Sequence, residues 1–227
     1  TGGAVIAVTR SGSNEFQGGF NAYYEPESMR SAQPNTYVAN NEEDRVRRIE
    51  GNIYASGPII KDHLYFFGFF NPRYSYSYGE NLPRDGQTTY ATSYVESDTP
   101  FWGGKIDADI VDGHRLEFTY FNDSNTTHTY AATLDGANGD VINPTNQYDF
   151  EGGSNYIGKY TGNFTDWLTV SALYGRSEFK RSSDGDAIGV PYTVDIRNPS
   201  APVVLGGIGS LFDQGYDTRD EYRLDFD

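Results

Sequence analysis

The sequence predicts an all-β protein, an antiparallel up-and-down transmembrane β-barrel meander that is incomplete and holds about eight strands of a larger barrel. Three observations carry this. Hydrophobic residues make up 37% of the 227 residues, yet 15% are aromatic, with 19 Tyr and 14 Phe. A barrel that turns only alternate residues to lipid has such a composition, because its average looks soluble. Apolar residues recur at every second position over runs of about ten residues, the length that crosses a bilayer at a tilt. Connections alternate in length along the chain: long over 26–45, 79–99, 122–152 and 183–217, short over 61–63, 111–114 and 165–167. Outer-membrane barrels keep tight turns at one rim and extended loops at the other.

The elements follow in order. Ala4 to Thr9 is a short apolar strand before the turn residues Ser11, Gly12, Ser13 and Asn14. From Glu15 to Glu25, Phe16, Gly18, Phe20, Ala22 and Tyr24 alternate with polar residues, the mark of a half-buried strand. Val46 to Gly57 opposes Ile49, Gly51, Ile53 and Ala55 to Arg48, Glu50, Asn52 and Tyr54. After Lys61-Asp62-His63 a third strand runs from Leu64 to about Tyr78, and its first half is apolar on both faces. Phe101 to Ile110 is the fourth and sets Trp102, Ile106 and Ile110 against Lys105, Asp107 and Asp109. Val111-Asp112-Gly113-His114 is a hairpin signal. Leu116, Phe118 and Tyr120 mark the fifth strand, Tyr156 to Phe164 the sixth, and Leu168 to Tyr174 the seventh. An eighth begins near Arg219.

Charge and motifs exclude other classes. The net charge of −15 argues against nucleic acid, which needs clustered Lys and Arg. With no Cys there is neither a disulfide framework nor a thiolate site. His63, His114 and His128 are scattered without the spacing of a zinc helix, so neither metal nor cofactor is expected. Asp107 and Asp109 share a strand face with Lys105, and lumen-facing polar residues explain them better than paired-carboxylate catalysis. No enzyme is expected. The Asp135–Asp140 and Ser183–Asp186 stretches read as Asx and Gly turns rather than calcium loops. Phe16, Phe20, Tyr24, Trp102, Tyr156, Tyr160 and Trp167 fall near strand ends, as interfacial girdles do. The alternative is a secreted β-rich carbohydrate-binding module that uses such rings for stacking.

Two stretches carry a family resemblance. Thr1 to Phe20 (TGGAVIAVTRSGSNEFQGGF) resembles the junction between plug and barrel in TonB-dependent outer-membrane receptors of the Oar-like branch. Gly57 to Gly68 (GPIIKDHLYFFG) is similar to the first periplasmic hairpin of the same branch. The resemblance implies that residues 1–13 are the last plug strand and junction and that 14–227 are the N-terminal part of the barrel. The chain is then a fragment, without the TonB-coupling region. The implied location is the bacterial outer membrane. The implied partners are outer-membrane lipid, the TonB complex through the missing N-terminal region, and an unknown extracellular ligand carried across the outer membrane. Loop acids and aromatics are the candidate ligand residues: Asp184, Asp186, Tyr192, Asp195, Phe212 and Tyr216.

Overall fold

A period-two pattern yields one apolar face only if every strand keeps register with both neighbours, because a slip of one residue exchanges the faces. In the computed structural model the register holds throughout the main sheet. The model describes residues 10–31, 33–83, 86, 88–186, 192–197, 203–206 and 214–227. The expected strand Ala4 to Thr9 lies outside the described residues. One antiparallel sheet of 11 strands contains β1 (Gln17–Glu25), β2 (Arg45–Ile60), β3 (Leu64–Asn71), β4 (Arg73–Glu80), β5 (Thr89–Ser97), β6 (Phe101–Val111), β7 (His114–Asn122), β8 (Asn125–Asp135), β9 (Val141–Thr165), β10 (Leu168–Gly185) and β13 (Gln214–Phe226). A separate hairpin joins β11 (Tyr192–Asp195) to β12 (Val203–Gly206).

The pairs β3/β4, β5/β6 and β7/β8 each lie end to end, so the sheet is a meander of eight long strands in chain order. One row can be followed from Phe20 through Ile53, Phe70, Trp102, Asn122 and Ser154 to Glu178. A lower row runs from Gly57 through Phe66, Ile106, Phe118, Gly158 and Tyr174 to Tyr222. Below the polar end of the upper row, at Asn122, Ser154 and Glu178, this face is apolar, and its large side chains stay exposed: Phe20 83%, Trp167 77% and Tyr222 76%. The opposite face carries Asn52, Tyr54, Lys105, Asp107, Glu117, Lys159 and Thr161. Among the described residues the only buried apolar side chains are those of Pro58, Tyr65 and Ala132. A single layer with both faces open differs from a two-layer sandwich, which buries the inner faces of two sheets against each other. Among the described residues no helix is long and apolar enough to cross a membrane, and Glu27–Met29 is one 3-10 turn.

The short turns lie where expected, at Lys61–His63, Asp112–Gly113 and Asp166–Trp167. The long connections need correction. The segment 79–99 contains β5, and 122–152 contains β8 and the first part of β9. These strands escaped a reading based on alternation because both of their faces are polar; ladder hydrogen bonds hold them rather than an apolar face. They are prolongations of the wall beyond the apolar zone. The boundary is visible as a line of breaks at Pro72, Asp98–Pro100, Asp123–Ser124 and Gly152, the last with φ +80°. Above it, stacked rings bind neighbouring strands: Tyr76 on Tyr94 at 5.8 Å, Tyr94 on Tyr130 at 5.0 Å and His128 on Tyr148 at 4.5 Å. Arg47 caps the row over Tyr74 and Tyr76.

Gly113 takes φ +79° in the β6–β7 turn, and its carbonyl accepts the Asn163 N–H at 2.9 Å. Gly113→Ala should cost about 1 kcal/mol of stability, because an L side chain disfavours that conformation. Gly158→Ala, with nothing within 4 Å of the added carbon, should be close to neutral. Urea unfolding in detergent micelles measures both.

Candidate functional site

The inner face gathers charge where the short turns meet the wall. Alternation along β6 and β7 turns Lys105, Asp107, Asp109, Arg115 and Glu117 to one side. Asp107 is fully buried, and a buried carboxylate is tolerated only when paired. Lys105 Nζ lies 3.1 Å from Asp107 Oδ1, and an Arg115 nitrogen lies 3.4 Å from Oδ2. Neither Asp107 oxygen has hydrogen-bond geometry, so charge alone holds it. Lys105 also donates to Glu117 Oε1 at 2.5 Å, Lys159 stands 3.6 Å from Glu117, and Arg115 pairs with Asp109 at 3.0 Å.

Residues 10–14 lie on this face. Lys105 Nζ donates to Ser11 Oγ at 2.9 Å, and the Arg10 guanidinium sits 4.8 Å from the Tyr54 ring centre. Asn14 and Asp62 exchange two hydrogen bonds, at 2.7 and 2.9 Å. Gly12 approaches so closely that a Cβ there would stand 2.4 Å from the Phe66 carbonyl oxygen. The contact is sequence-remote, with Ser11 and Lys105 94 positions apart, so neither segment announces it. Toward the break line the same wall carries a run of touching rings, Tyr54, Phe67, Phe69, Phe101 and Phe121.

Next to these rings the inner wall becomes polar. A cavity of about 530 Å³ is lined by Arg48, Glu50, Arg73, Ser97, Asn125 and Thr127, among others. Alternation placed Arg48 and Glu50 opposite the apolar face, and Arg73 joins them from the serine-bearing face of β4.

On the outward face of the prolonged strands, His128 bridges Glu96 (Nδ1 to Oε1, 3.1 Å) and Asn146 (Nε2 to Oδ1, 2.9 Å). Asn146 passes the link to Asp186 at 2.6 Å. Burial alone would lower the His128 pKa; the hydrogen bonds to Glu96 and Asn146 outweigh it and hold the imidazole above its ordinary 6.5.

The expected ligand residues that the structure describes fall at the end of β10, on β11 and on β13. Asp184 accepts its neighbour Gly185's N–H at 2.8 Å, and Asp186 is occupied in clamping Asn146. Tyr216, exposed on β13, pairs with Lys180, four residues along β10 from Asp184. Tyr192 and Asp195 bound β11, opposite Gly206 and Val203. Phe212 lies outside the described residues.

One comparison with known proteins finds a likeness over part of the chain. The TonB-dependent transporter Oar of Myxococcus xanthus is 35% identical over 82 residues, covering 33% of this chain. The chain is similar, over a third of its length, to a transporter. The match spans 7% of that protein, so it supports the transporter family in general and says nothing of the remainder. No family model and no solved structure matches.

Lys105→Met leaves Asp107 with Arg115 alone and should cost about 3 kcal/mol in urea unfolding, the loss expected on breaking a buried ion pair. The His128 bridge titrates in the opposite sense to a carboxylate. Its contribution is complete below the unfolded value near 6.5 and disappears as pH rises through the higher folded value. The stability gap between wild type and His128→Asn should therefore be larger at about pH 6 than at about pH 9.

Proposed function

We propose that this chain forms the N-terminal part of the barrel wall of a TonB-dependent outer-membrane receptor, with 14–227 in the barrel and 1–13 in the plug junction. In this reading the receptor binds a ligand at its extracellular face and passes it inward when the TonB complex acts through the N-terminal region. One observation carries it: the sheet turns a continuous apolar face outward and buries almost nothing. From Trp102 to Ile110 that face measures about 26 Å along the strand, at about 3.3 Å per residue. At the tilt of about 35–45° usual for barrel strands this spans about 20 Å of height, most of the roughly 25 Å apolar band of an outer-membrane barrel. Rings mark both rims, Trp102, Tyr120 and Tyr156 above and Phe16, Phe164 and Trp167 below. A concavity of about 750 Å³ on this face, lined by Ala108, Leu116, Phe118, Gly158 and Ala172, is a place for acyl chains rather than for a soluble ligand. The local similarity to a transporter and the seating of residues 10–14 on the inner wall point the same way.

The full-length protein should require detergent and show heat-modifiable migration; a detergent-free soluble monomer would contradict the reading. Ile106→Arg, on the outward face at mid-band, should cost about 2–4 kcal/mol of folding into lipid vesicles. Ser171→Arg, on the inner face, should cost far less.

A further inference from the structure

The polar cavity on the inner wall contains an arginine that stands opposite Glu50 in register yet forms no close ion pair with it. Arg73 stands on β4 between Glu50 of β2 and the segment holding Thr99. Its Nε donates to the Thr99 carbonyl at 2.8 Å. Among the described residues no carboxylate stands within 4.0 Å of it. Arg73 is half-buried, so water compensates it only in part. Arg48, the second cation of the cavity, is exposed and lies 3.8 Å from Glu25, a long contact that adds little.

We propose that Arg73, assisted by Arg48, anchors a small ligand bearing one oxyanion, a carboxylate or a phosphate. An arginine held through Nε keeps its terminal N–H groups for a planar two-oxygen acceptor. The rest of the lining limits the class. Glu50 and Asp123 oppose a second negative charge, and Asp123 is engaged with the Gly153 N–H at 3.0 Å. Ser75, Ser97, Asn125 and Thr127 offer hydroxyl and amide partners. Ser97 donates to Asn125 Oδ1 at 2.8 Å and Asn125 Nδ2 donates to Thr127 Oγ1 at 3.1 Å, which fixes the amide and leaves its second N–H and the Thr127 hydroxyl proton for a ligand. A hydroxylated acid, such as a sugar acid or sugar phosphate, fits one cation beside several neutral hydrogen-bonding groups. The inference rests on the barrel reading, in which this wall faces a lumen.

Calorimetric titration of the full-length protein in detergent tests it, with glucuronate, glucose 6-phosphate and glucose as probes. At least one of the two acids should bind saturably, about tenfold or more tightly than glucose. Glucuronate or glucose 6-phosphate as the stronger acid assigns carboxylate or phosphate. Arg73→Gln should weaken that acid by about tenfold or more and leave glucose unchanged. Equal binding of acid and glucose, no saturable binding of either acid, or unchanged acid binding in Arg73→Gln overturns the proposal. Should Arg73→Gln fail to fold, Arg48→Gln on its exposed side chain decides: weaker acid binding supports the site and unchanged binding overturns it. A wild-type protein that migrates heat-modifiably yet binds neither acid sinks this inference alone; failure of that migration strikes the receptor reading instead.

Discussion

The structure depends on unbroken register across the wall. Each strand turns successive side chains to opposite faces, so the even positions of β1 and of β3 onward, with the odd positions of β2, share one face only while no residue slips in mid-strand. The irregularities in pairing fall near hairpin ends, at Pro58/Ile60, Asp109/Val111, Leu168/Thr169 and Ala131/Thr133. A slip inside the apolar zone would bring Lys105 and Asp107 outward and Ile106 inward. The hydrophobic penalty for that inversion, borne by all neighbours together, fixes the register.

Legibility in the sequence follows the same physics. Where one face is apolar, as along Phe20-Ala22-Tyr24 or Trp102-Ile106-Ile110, the pattern gives the strand and its limits. The turns announce themselves through Asp62, Gly113 and Asp166, whose residue types suit tight reversals. Past the break line the signal fades. Tyr90 to Ser97 and Asn125 to Asp135 put tyrosine, threonine and small residues on both faces, and only pairing with neighbours makes them strands. The candidate site was least legible. Lys105 and Asp107 read as lumen-facing, but the contact of Lys105 with Ser11 closes a span that no periodicity reveals. Arg73 stands in a run of tyrosine and serine, and its distinction is the main-chain carbonyl of Thr99 that it meets in the break between β5 and β6.

Charge is distributed as the two faces require. The inner wall concentrates acids and bases near the short turns, where Lys105 ties residues 10–14 to the sheet, and ends in a polar cavity around Arg73. Between them lies the ring cluster from Tyr54 to Phe121. Outside, the prolonged strands are held by stacked tyrosines and the Glu96–His128–Asn146–Asp186 chain, interactions that work in water and need no apolar layer. One chain thus meets three environments in sequence along its strands.

The most direct measurement is fluorescence of Trp102 in vesicles made with brominated lipids, using the full-length protein with any other tryptophans, Trp167 included, replaced by phenylalanine. If the outward face meets acyl chains, bromines placed along the chain quench Trp102 strongly, and aqueous iodide quenches it weakly. Strong iodide quenching with no effect of brominated lipid would place that face in water and contradict the membrane-wall reading.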